Sequence, residues 1–352
     1  MQKKKQQTFL ITGGTGFFGC HMAAELLKRG EKVKLLDLAP LTEPDLIGRV
    51  ENYQGDVRDK MILERLMEGV DVVIHAAAAL PLAPKKEIVT TTVDGTKLVL
   101  ATAKKAKVKR VIYISSTAVY GVPMKHPIYE TDERIGVGAY GIAKIEAEKA
   151  CEKARKEGSV VTIIRPKSFI GTGRLGVFQI LFDWIRRGCR IPVIGDGSNR
   201  YQLMDVEDLT QAIWLAATKP AAKANDTFNV GAKKFGTVEE DFKEMFKHAG
   251  SGSKMLKTPA KLIKRILLVL EKLRLSPLYA WVYATADTDS FVSIAKIEKQ
   301  LGWKPKYSNA QTLIRTYDWY RKHYQEYEEA TGITHRVAWK QGALKIARWI
   351  LQ

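Results

Sequence analysis

Tyr140 and Lys144 are the residues whose types and spacing most directly suggest chemistry. They lie four positions apart in a stretch rich in Ala, Glu and Lys that predicts a helix, so their side chains would share one face. A nearby ammonium stabilises a phenolate and lowers the pKa of a tyrosine from about 10 toward neutrality. Tyr140 would then serve as a general acid or base toward an alcohol or carbonyl. By itself, a Tyr and a Lys at this spacing more often lie on a solvated helix face. Whether this pair is catalytic therefore depends on the surrounding residues.

Ser116 strengthens the chemical interpretation. It follows a short apolar run that predicts a fifth strand, residues 111–115, and it precedes the helix that carries Tyr140. At the end of a strand beside that helix, its hydroxyl could hydrogen-bond the same substrate oxygen as Tyr140.

A glycine-rich stretch near the start of the chain indicates what such a site would work with. An apolar run over residues 8–12 leads into several glycines, and a helical pattern follows from Cys20. The glycines are Gly13, Gly14, Gly16 and Gly19. A strand, a glycine turn and a helix N-terminus together suit the pyrophosphate of a dinucleotide, and Asp37, at the end of the next strand, suits an adenosine ribose. The alternative is an ordinary strand-to-helix turn.

The elements that would position these residues alternate between strand and helix. Predicted strands cover residues 8–12, 32–37, 50–54, 70–75 and 111–115, with helical patterns between them, among them 59–67 and 93–105. This alternation predicts βαβ units and a doubly wound, mostly parallel α/β sheet of Rossmann type. Ligands bind such sheets at the carboxyl ends of the strands. The small residues 76–79 after the fourth strand either leave room for a flat ligand or pack tightly beneath a helix.

Composition sets the wider limits. The 352 residues are 45% hydrophobic and 27% charged, as in soluble globular proteins, but the formal net charge of +19 favours an acidic partner such as anionic lipid or phosphorylated substrates. Cys20, Cys151 and Cys189 have no metal-binding spacing, so no metal site is expected and a reducing cytoplasm fits best. No signal peptide and no bilayer-spanning run is recognised. The chain also lacks a nucleic-acid-binding module, so nucleic acid is not expected as a partner.

Taken together, the motifs resemble the extended short-chain dehydrogenase/reductases, and more narrowly the NAD-dependent epimerase/dehydratase group. The resemblance runs from Thr8 to about Trp319. It depends on TGGTGFFG at 12–19, GDVRD at 55–59, HAAA at 75–78, SSTAVYG at 115–121, YGIAK at 140–144, IRP at 164–166, GDGSNR at 195–200, DVED at 205–208, NVG at 229–231 and LGWKP at 301–305.

The resemblance implies roles for individual residues. Ser116, Tyr140 and Lys144 would be the catalytic triad. Asp37 would bind the adenosine ribose, and because no arginine directly follows it, NAD is favoured over NADP. The full set implied to bind the cofactor is Gly13, Gly16, Phe17, Phe18, Gly19, Asp37, Asp56, Val57, Ala76, Ala77, Tyr140, Lys144 and Pro166.

Two departures from the family pattern concern the substrate. Members that act on sugar nucleotides usually carry asparagine where this chain has Thr92, and again two residues beyond the Arg-Pro pair, where Ser168 stands. The second asparagine commonly meets the substrate diphosphate, so a free nucleotide sugar is placed in doubt. Ser168, Arg174 and Arg200 are the candidate substrate-binding residues.

Two basic amphipathic stretches lie outside the family pattern, at 255–275 and 336–352. Such helices suit an anionic membrane surface, a partner subunit or the protein's own core, and membrane or partner is favoured for the second stretch. The expected organisation is an NAD-binding domain over 1–170, a substrate-binding region over 171–330 and a C-terminal helix over 331–352. The expected location is the cytoplasm, with peripheral contact to the inner face of the membrane. A homodimer through the helix of Tyr140 is expected from the resemblance.

Three functions remain open at this stage. The first is an epimerase or dehydratase that oxidises a nucleotide- or polyprenyl-diphosphate-linked sugar to a keto intermediate. The second is a hydroxysteroid or β-keto-lipid dehydrogenase, for which an apolar pocket around 168–180 and 255–285 would speak, whereas convergent Arg and Lys side chains would favour a diphosphate. The third is a dinucleotide-sensing binding protein, which the intact Ser, Tyr and Lys set disfavours.

Overall fold

Seven parallel strands form the central sheet of the computed structural model, which describes residues 5–81, 83–173, 175, 178–272, 283 and 285–329. The order of the strands across the sheet is β3-β2-β1-β4-β5-β6-β10. Their bounds are β1 Thr8–Thr12, β2 Lys32–Asp37, β3 Glu51–Gln54, β4 Val72–His75, β5 Arg110–Ile114, β6 Val161–Pro166 and β10 Thr227–Val230. Every neighbouring pair is parallel, so all the carboxyl ends lie at one edge.

Some helices cover the two faces of this sheet, and others lie beyond it. They are α1 Phe17–Lys28, α2 Lys60–Met67, α3 Lys85–Val89, α4 Gly95–Lys105, α5 Gly138–Lys156, α6 Phe178–Arg186, α7 Val206–Thr218, α8 Ala221–Ala224, α9 Val238–Ala249, α10 Ala260–Lys272, α11 Ala295–Leu301 and α12 Asn309–Glu329. Alternate residues of β1 belong to different cores, because successive strand side chains point to opposite faces. Phe9 and Ile11 pack with α1 and α7, whereas Leu10 packs with α2, α4 and α5. The doubly wound α/β fold predicted from the sequence is confirmed.

The strand order places a switch point between β1 and β4. The chain runs from β1 outward through β2 to β3, and then returns to β4 on the other side of β1. Loops on either side of such a point diverge and leave a crevice at the carboxyl edge of the sheet. The glycine loop after β1 and the alanines after β4 both lie there.

A second hydrophobic core lies beyond the sheet. It is formed mainly by α6, α9 and α12 around Phe182, Trp184 and Tyr317. Short parallel pairs join β7 Phe169–Ile170 to β9 Met204–Asp205, and β8 Ile191–Ile194 to β11 Met255–Thr258. Between these elements the chain returns once to the central sheet, as β10, so the two cores interleave along the sequence.

Several predicted elements differ from the observed ones at their ends. The third and fourth strands begin at Glu51 and Val72, and the fifth runs from Arg110 to Ile114. Asp59 precedes α2 as its N-cap, and its carboxylate accepts hydrogen bonds from the backbone N–H groups of Met61 and Ile62. The helix predicted over 93–105 starts two residues later, at Gly95, because a π-helical turn, Thr90–Asp94, precedes α4. Among the described residues, no helix is long and apolar enough to cross a membrane. The stretch 336–352 lies outside the described residues.

Candidate active site

The glycine loop holds the ends of three strands together. The N–H groups of Gly13 and Gly14 both donate to the Leu36 carbonyl of β2, over 2.9 and 3.2 Å. Gly13 has φ of 70°, a left-handed conformation that favours glycine, and a Cβ there would lie 2.9 Å from the Ala77 backbone nitrogen after β4. The loop therefore has no room for side chains on its inner side.

Helix α1 starts from this loop with a bare N-terminus. Its N-cap is Gly16, which has no side chain to satisfy the first helical N–H groups. A Cβ on Gly19 would lie 2.4 Å from the Gly13 carbonyl oxygen, so glycine is needed for the helix to pack on the loop itself. Phe17 and Phe18 are buried, and the Phe17 ring stacks on Phe169 with 6.0 Å between ring centres. Their rings belong to the core, so any contact with a cofactor would come from their backbones.

Asp37 lies where a ribose-binding carboxylate is needed. It ends β2, and its Oδ2 accepts a hydrogen bond from the Thr15 N–H of the glycine loop over 3.1 Å. Its Oδ1 accepts from the Ala39 N–H. The carboxylate is half-buried and meets no cation that would complement a phosphate among the described residues. This geometry agrees with the preference for NAD.

Asp56 and Val57 follow β3 at the same edge. The Asp56 carboxylate is held by the Arg58 guanidinium, whose hydrogen bonds keep the pKa of Asp56 below its usual range. Arg58 also donates to Thr90 Oγ1 over 2.9 Å. Val57 is buried. Because the Asp56 carboxylate is already bound to Arg58, residue 56 would contact an adenine through its backbone.

Behind the alanines after β4, a buried histidine joins two strands to α4. His75 Nδ1 lies 2.7 Å from Thr12 Oγ1, and its Nε2 lies 2.9 Å from Thr96 Oγ1. Burial, with a smaller contribution from the charge of Lys144, lowers the pKa of His75 to about 3. The ring is therefore neutral at physiological pH. Ala76 and Ala77 are half-buried, and their N–H groups donate to the carbonyl and hydroxyl of Thr12.

Ser116 lies just beyond β5, half-buried, at the start of a 3₁₀ turn, Thr117–Tyr120. Its Oγ accepts a hydrogen bond from the Ala118 N–H over 3.1 Å, which leaves the hydroxyl proton to be donated. Helix α5 passes close to this turn, because a Cβ on Gly141 would lie 2.9 Å from the Ala118 carbonyl oxygen. The residue next to Tyr140 thus brings the two segments together.

Tyr140 and Lys144 share one face of α5. The Lys144 Nζ lies 5.8 Å from the centre of the Tyr140 ring and 4.9 Å from that of Tyr113. It donates a hydrogen bond to the Ile114 carbonyl at the end of β5 over 2.7 Å. Burial lowers the pKa of Lys144 to about 8, against the opposing effect of Glu148. The side chain is therefore predominantly charged at neutral pH, next to the tyrosine.

A buried ionic network lies one turn further along α5. Glu148 is fully buried and accepts hydrogen bonds from Arg165 Nε and Nη2, over 2.9 and 2.7 Å. It also accepts from Ser115 Oγ over 2.5 Å and from Arg134 Nη1 over 2.9 Å. The network joins α5 to the ends of β5 and β6, and so fixes the helix face that carries Tyr140.

Pro166 ends β6, and Ser168 lies half-buried two residues beyond, with its Oγ 3.4 Å from the Tyr201 hydroxyl. Arg200 is half-exposed, forms an ion pair with Asp289 over 3.3 Å and lies over the Phe291 ring. Arg174 lies outside the described residues. The structure thus brings Ser168 and the segment of Arg200 to one region.

Sequence reasoning missed three residues of this site. Lys167, between Pro166 and Ser168, is buried. Its position directly after a strand was the only sequence feature that could have indicated a place in the site. Glu148 lies four residues after Lys144, which places it on the helix face of Tyr140. Gly141 follows Tyr140 directly, and a glycine inside a helix often marks a close approach.

Comparison with known proteins agrees with the geometry. The NAD dependent epimerase/dehydratase family model matches residues 9–231. Protein y4nG of Sinorhizobium fredii is 34% identical over 350 residues, which cover 98% of this chain and 87% of that protein. UDP-glucose 4-epimerase of Lactobacillus helveticus is 29% identical, over 91% of this chain and 99% of the enzyme.

A solved structure is similar as well. The crystal structure of UDP-glucose 4-epimerase from Thermotoga maritima with UDP-glucose has a TM-score of 0.75 and 26% identity, covering 90% of this chain and 100% of that one. The family description confirms the resemblance, the enzyme class and the NAD cofactor predicted from the sequence. Since the family match covers well over half of the sequence, this chain belongs to the NAD dependent epimerase/dehydratase family.

Proposed function

We propose that this enzyme oxidises a hydroxyl of a diphosphate-linked sugar and passes through a keto-sugar, with Tyr140 as the acid and base. The observation that carries the proposal is the buried Lys144 ammonium beside the Tyr140 ring, at the end of the strand that leads to Ser116. The similarity to UDP-glucose 4-epimerases supports a nucleotide sugar.

The proposed cofactor site is the crevice at the switch point. The glycine loop offers the close approach that a pyrophosphate needs, the bare α1 N-terminus favours an anion, and Asp37 would accept hydrogen bonds from the ribose hydroxyls. Pro166, Ala76 and Ala77 would border the nicotinamide side. When bound, NAD supplies the acceptor and donor of hydride.

The chain's own groups would handle the proton. Lys144 stabilises the Tyr140 phenolate, so Tyr140 can take the proton of the substrate hydroxyl. Ser116, with its proton available, would donate a hydrogen bond to the same oxygen and hold it in place. When the carbonyl is reduced again, Tyr140 returns the proton. The groups that form this arrangement come from β5 and α5, which the Glu148 network locks together.

The test is Tyr140→Phe, with the purified enzyme offered nucleotide sugars, polyprenyl-linked sugar diphosphates and hydroxy-lipids. The wild type should convert a sugar substrate, and the variant should lose at least about 1,000-fold in kcat while binding NAD with unchanged affinity. Tyr129→Phe, the same change at a tyrosine that is 44% exposed, serves as the matched control and should keep wild-type turnover. Wild-type turnover in Tyr140→Phe would refute the role of Tyr140. Stoichiometric NADH from a lipid alcohol alone would refute the sugar substrate.

A lipid-linked sugar at a membrane is the finer form of this proposal, and helix α10 supports it. Leu262, Ile266 and Val269 lie on one face of α10 and are 55%, 45% and 56% exposed. The exposed Lys261 and Arg265 lie beside them. An apolar stripe with neighbouring cations suits the surface of an anionic bilayer.

Sedimentation with anionic liposomes tests this contact. Replacing the three apolar residues of α10 by serine should abolish sedimentation at low salt, whereas Met61→Ser, which removes an exposed apolar side chain from α2, should leave it unchanged. Equal binding by both variants would contradict the proposal.

We also keep two structural proposals. We propose an NAD-binding part over 1–170 and a substrate-binding part over 171–330, with 331–352 as a further segment outside the described residues. The separate core around Phe182 supports the second part, whereas α7 and β10 return to the central sheet and belong with the first. A homodimer through α5 is supported by the exposed Ile142, which is 54% accessible on that helix.

A further inference from the structure

Lys167 is a buried cation on the substrate side of the site. Its side chain is part of a residue only 2% exposed, yet it is the residue directly after β6. Its Nζ donates a hydrogen bond to Ser290 Oγ over 2.7 Å and lies 4.9 Å from the centre of the Tyr201 ring. Burial lowers the pKa of Lys167 to about 7.

This ammonium has no counter-charge in the part of the chain that the structure describes. No carboxylate among the side chains that the structure describes lies within ion-pairing distance, and burial is the one influence resolved on its pKa. Residues 273–282, which fall outside the described part, contain neither Asp nor Glu. Two further buried cations lie near the carboxyl edge: Arg165 is paired with Glu148, and Lys144 donates to the Ile114 carbonyl and is influenced by the charge of Glu148. With its pKa lowered to about 7, Lys167 is protonated in about half of the molecules at neutral pH, and the protonated form lacks the counter-charge that would offset its burial. Its position therefore calls for another explanation.

The position is close to the proposed reaction centre. The Ser115 N–H donates to the Ile164 carbonyl over 2.7 Å, so the end of β5 lies against β6. Adjacent strands are about 4.8 Å apart, which places the backbone of Lys167 within roughly 10 Å of Ser116. Lys167 is thus near the end of the substrate that reacts.

Its neighbours are hydrogen-bond donors and cations. The hydroxyls of Ser168 and Tyr201 lie 3.4 Å apart beside it. His126 Nε2 is buried without a hydrogen-bond partner among the described residues. Burial lowers the pKa of His126; Asp289 opposes this, and the charges of Lys167 and Arg200 add to it. Asp289, the acid of this group, is already bound to Arg200.

We propose that Lys167, with the hydroxyls of Ser168 and Tyr201, binds a carboxylate carried on the reacting sugar, so that the enzyme selects a nucleotide-linked uronic acid over its neutral counterpart. The inference rests on the proposed function, because it assumes a sugar in the crevice between Tyr140 and the second core. A substrate carboxylate would supply the counter-charge that the protein itself lacks.

The experiment compares two probes that differ only in the carboxylate, UDP-glucuronic acid and UDP-glucose. Binding to the NAD-saturated protein is measured by calorimetry for the wild type and for Lys167→Met, which keeps the length of the side chain and removes its charge. Lys233→Met, which removes an exposed lysine paired with Glu298, is the matched control. Turnover of both sugars and thermal stability are recorded for the same proteins.

Lys167→Met should raise the Kd for UDP-glucuronic acid by about 20- to 100-fold, as expected for a lost charge-assisted hydrogen bond, and change that for UDP-glucose by less than about 3-fold. The melting temperature should stay the same or rise, because a buried unpaired charge is removed. Lys233→Met should alter neither affinity.

An equal loss for both sugars, or a wild type that does not bind the acid more tightly, overturns the subsite. Selective binding of the acid that depends on Lys167, without turnover of any sugar, would refute the proposed function and leave the subsite standing.

Discussion

Replacing Glu148 by Gln tests whether the buried network holds α5 in place. Glu148 is 0% exposed and accepts four hydrogen bonds, two of them from Arg165, whose side chain is 3% exposed. Glutamine has nearly the same shape but no charge, so Arg165 would keep a buried charge without a counter-ion. Breaking a buried pair from one side costs about 3–5 kcal/mol. Because the amide oxygen can still accept one hydrogen bond, we expect about 3 kcal/mol for Glu148→Gln.

Glu152→Gln is the matched control, one turn further along the same helix. Glu152 pairs with Arg134, its side chain is 34% exposed, and Arg134 keeps its bond to Glu148 in this variant. Exposed pairs of this kind contribute about 0.2–1 kcal/mol. Free energies of unfolding from urea titrations with equal m-values would give the comparison. Equal losses in the two variants would refute the view that Glu148 is the central anion of the network.

The pH dependence of the same variant supplies a second check. Burial pushes the pKa of Glu148 upward, but the hydrogen bonds and charge of Arg165, with Ser115 and Arg134, outweigh it and leave the pKa below the usual range. A carboxyl with a lowered pKa in the folded state stabilises the protein above its unfolded pKa, about 4.3, and loses this contribution as the pH falls through the folded value. The difference in stability between wild type and Glu148→Gln should therefore be constant near neutrality and shrink below about pH 4. A difference at pH 3 as large as the one at neutrality would contradict this account.

Three further predictions concern the glycine loop after β1, Asp37 and Lys144. Gly19→Ala places a Cβ 2.4 Å from the Gly13 carbonyl oxygen, so NAD affinity measured by calorimetry should fall at least about 10-fold, whereas Ala24→Ser on the exposed side of α1 should leave it unchanged. Asp37→Ala should weaken NAD more than NADP, and an unchanged ratio of the two Kd values would exclude ribose binding by this carboxylate. In Glu148→Gln the charge that raises the pKa of Lys144 is lost, so the basic limb of the kcat profile should move to lower pH than in the wild type.

The sequence allowed good prediction of features with local causes. Strand β2 and the Asp59 cap lie where the apolar pattern and the capping residue placed them. The glycine loop was predictable because each glycine has a steric reason within a few residues or at the neighbouring strand end. The start of α4 was wrong by two residues, since the π-helical turn before it keeps the same apolar spacing as an α-helix over so short a stretch.

The features that escaped prediction depend on partners far away in the chain. Arg165 follows Glu148 by 17 positions and Ser115 precedes it by 33, and no local pattern tells that the three meet. A lysine after a strand is ordinarily solvated, but the Lys167 side chain is buried and contacts Tyr201 and Ser290, which lie far along the chain. Phe17 and Phe18 remain predicted cofactor-binding residues through their backbones, and the sequence did not indicate that their rings would contact Phe169, about 150 positions later.

The structure of the site shows which of the positive charges carry information about a ligand. Of the 57 Lys and Arg residues, those around the site are mostly matched by acids, as Arg165 is by Glu148 and Arg200 by Asp289. A net charge of +19 describes the attraction of the whole surface for anions and selects no ligand. A buried and unmatched charge is different, because desolvation makes its interactions strong and its burial costly in the free protein. The burial of Lys167 is therefore a more specific indication of the substrate than the net charge is.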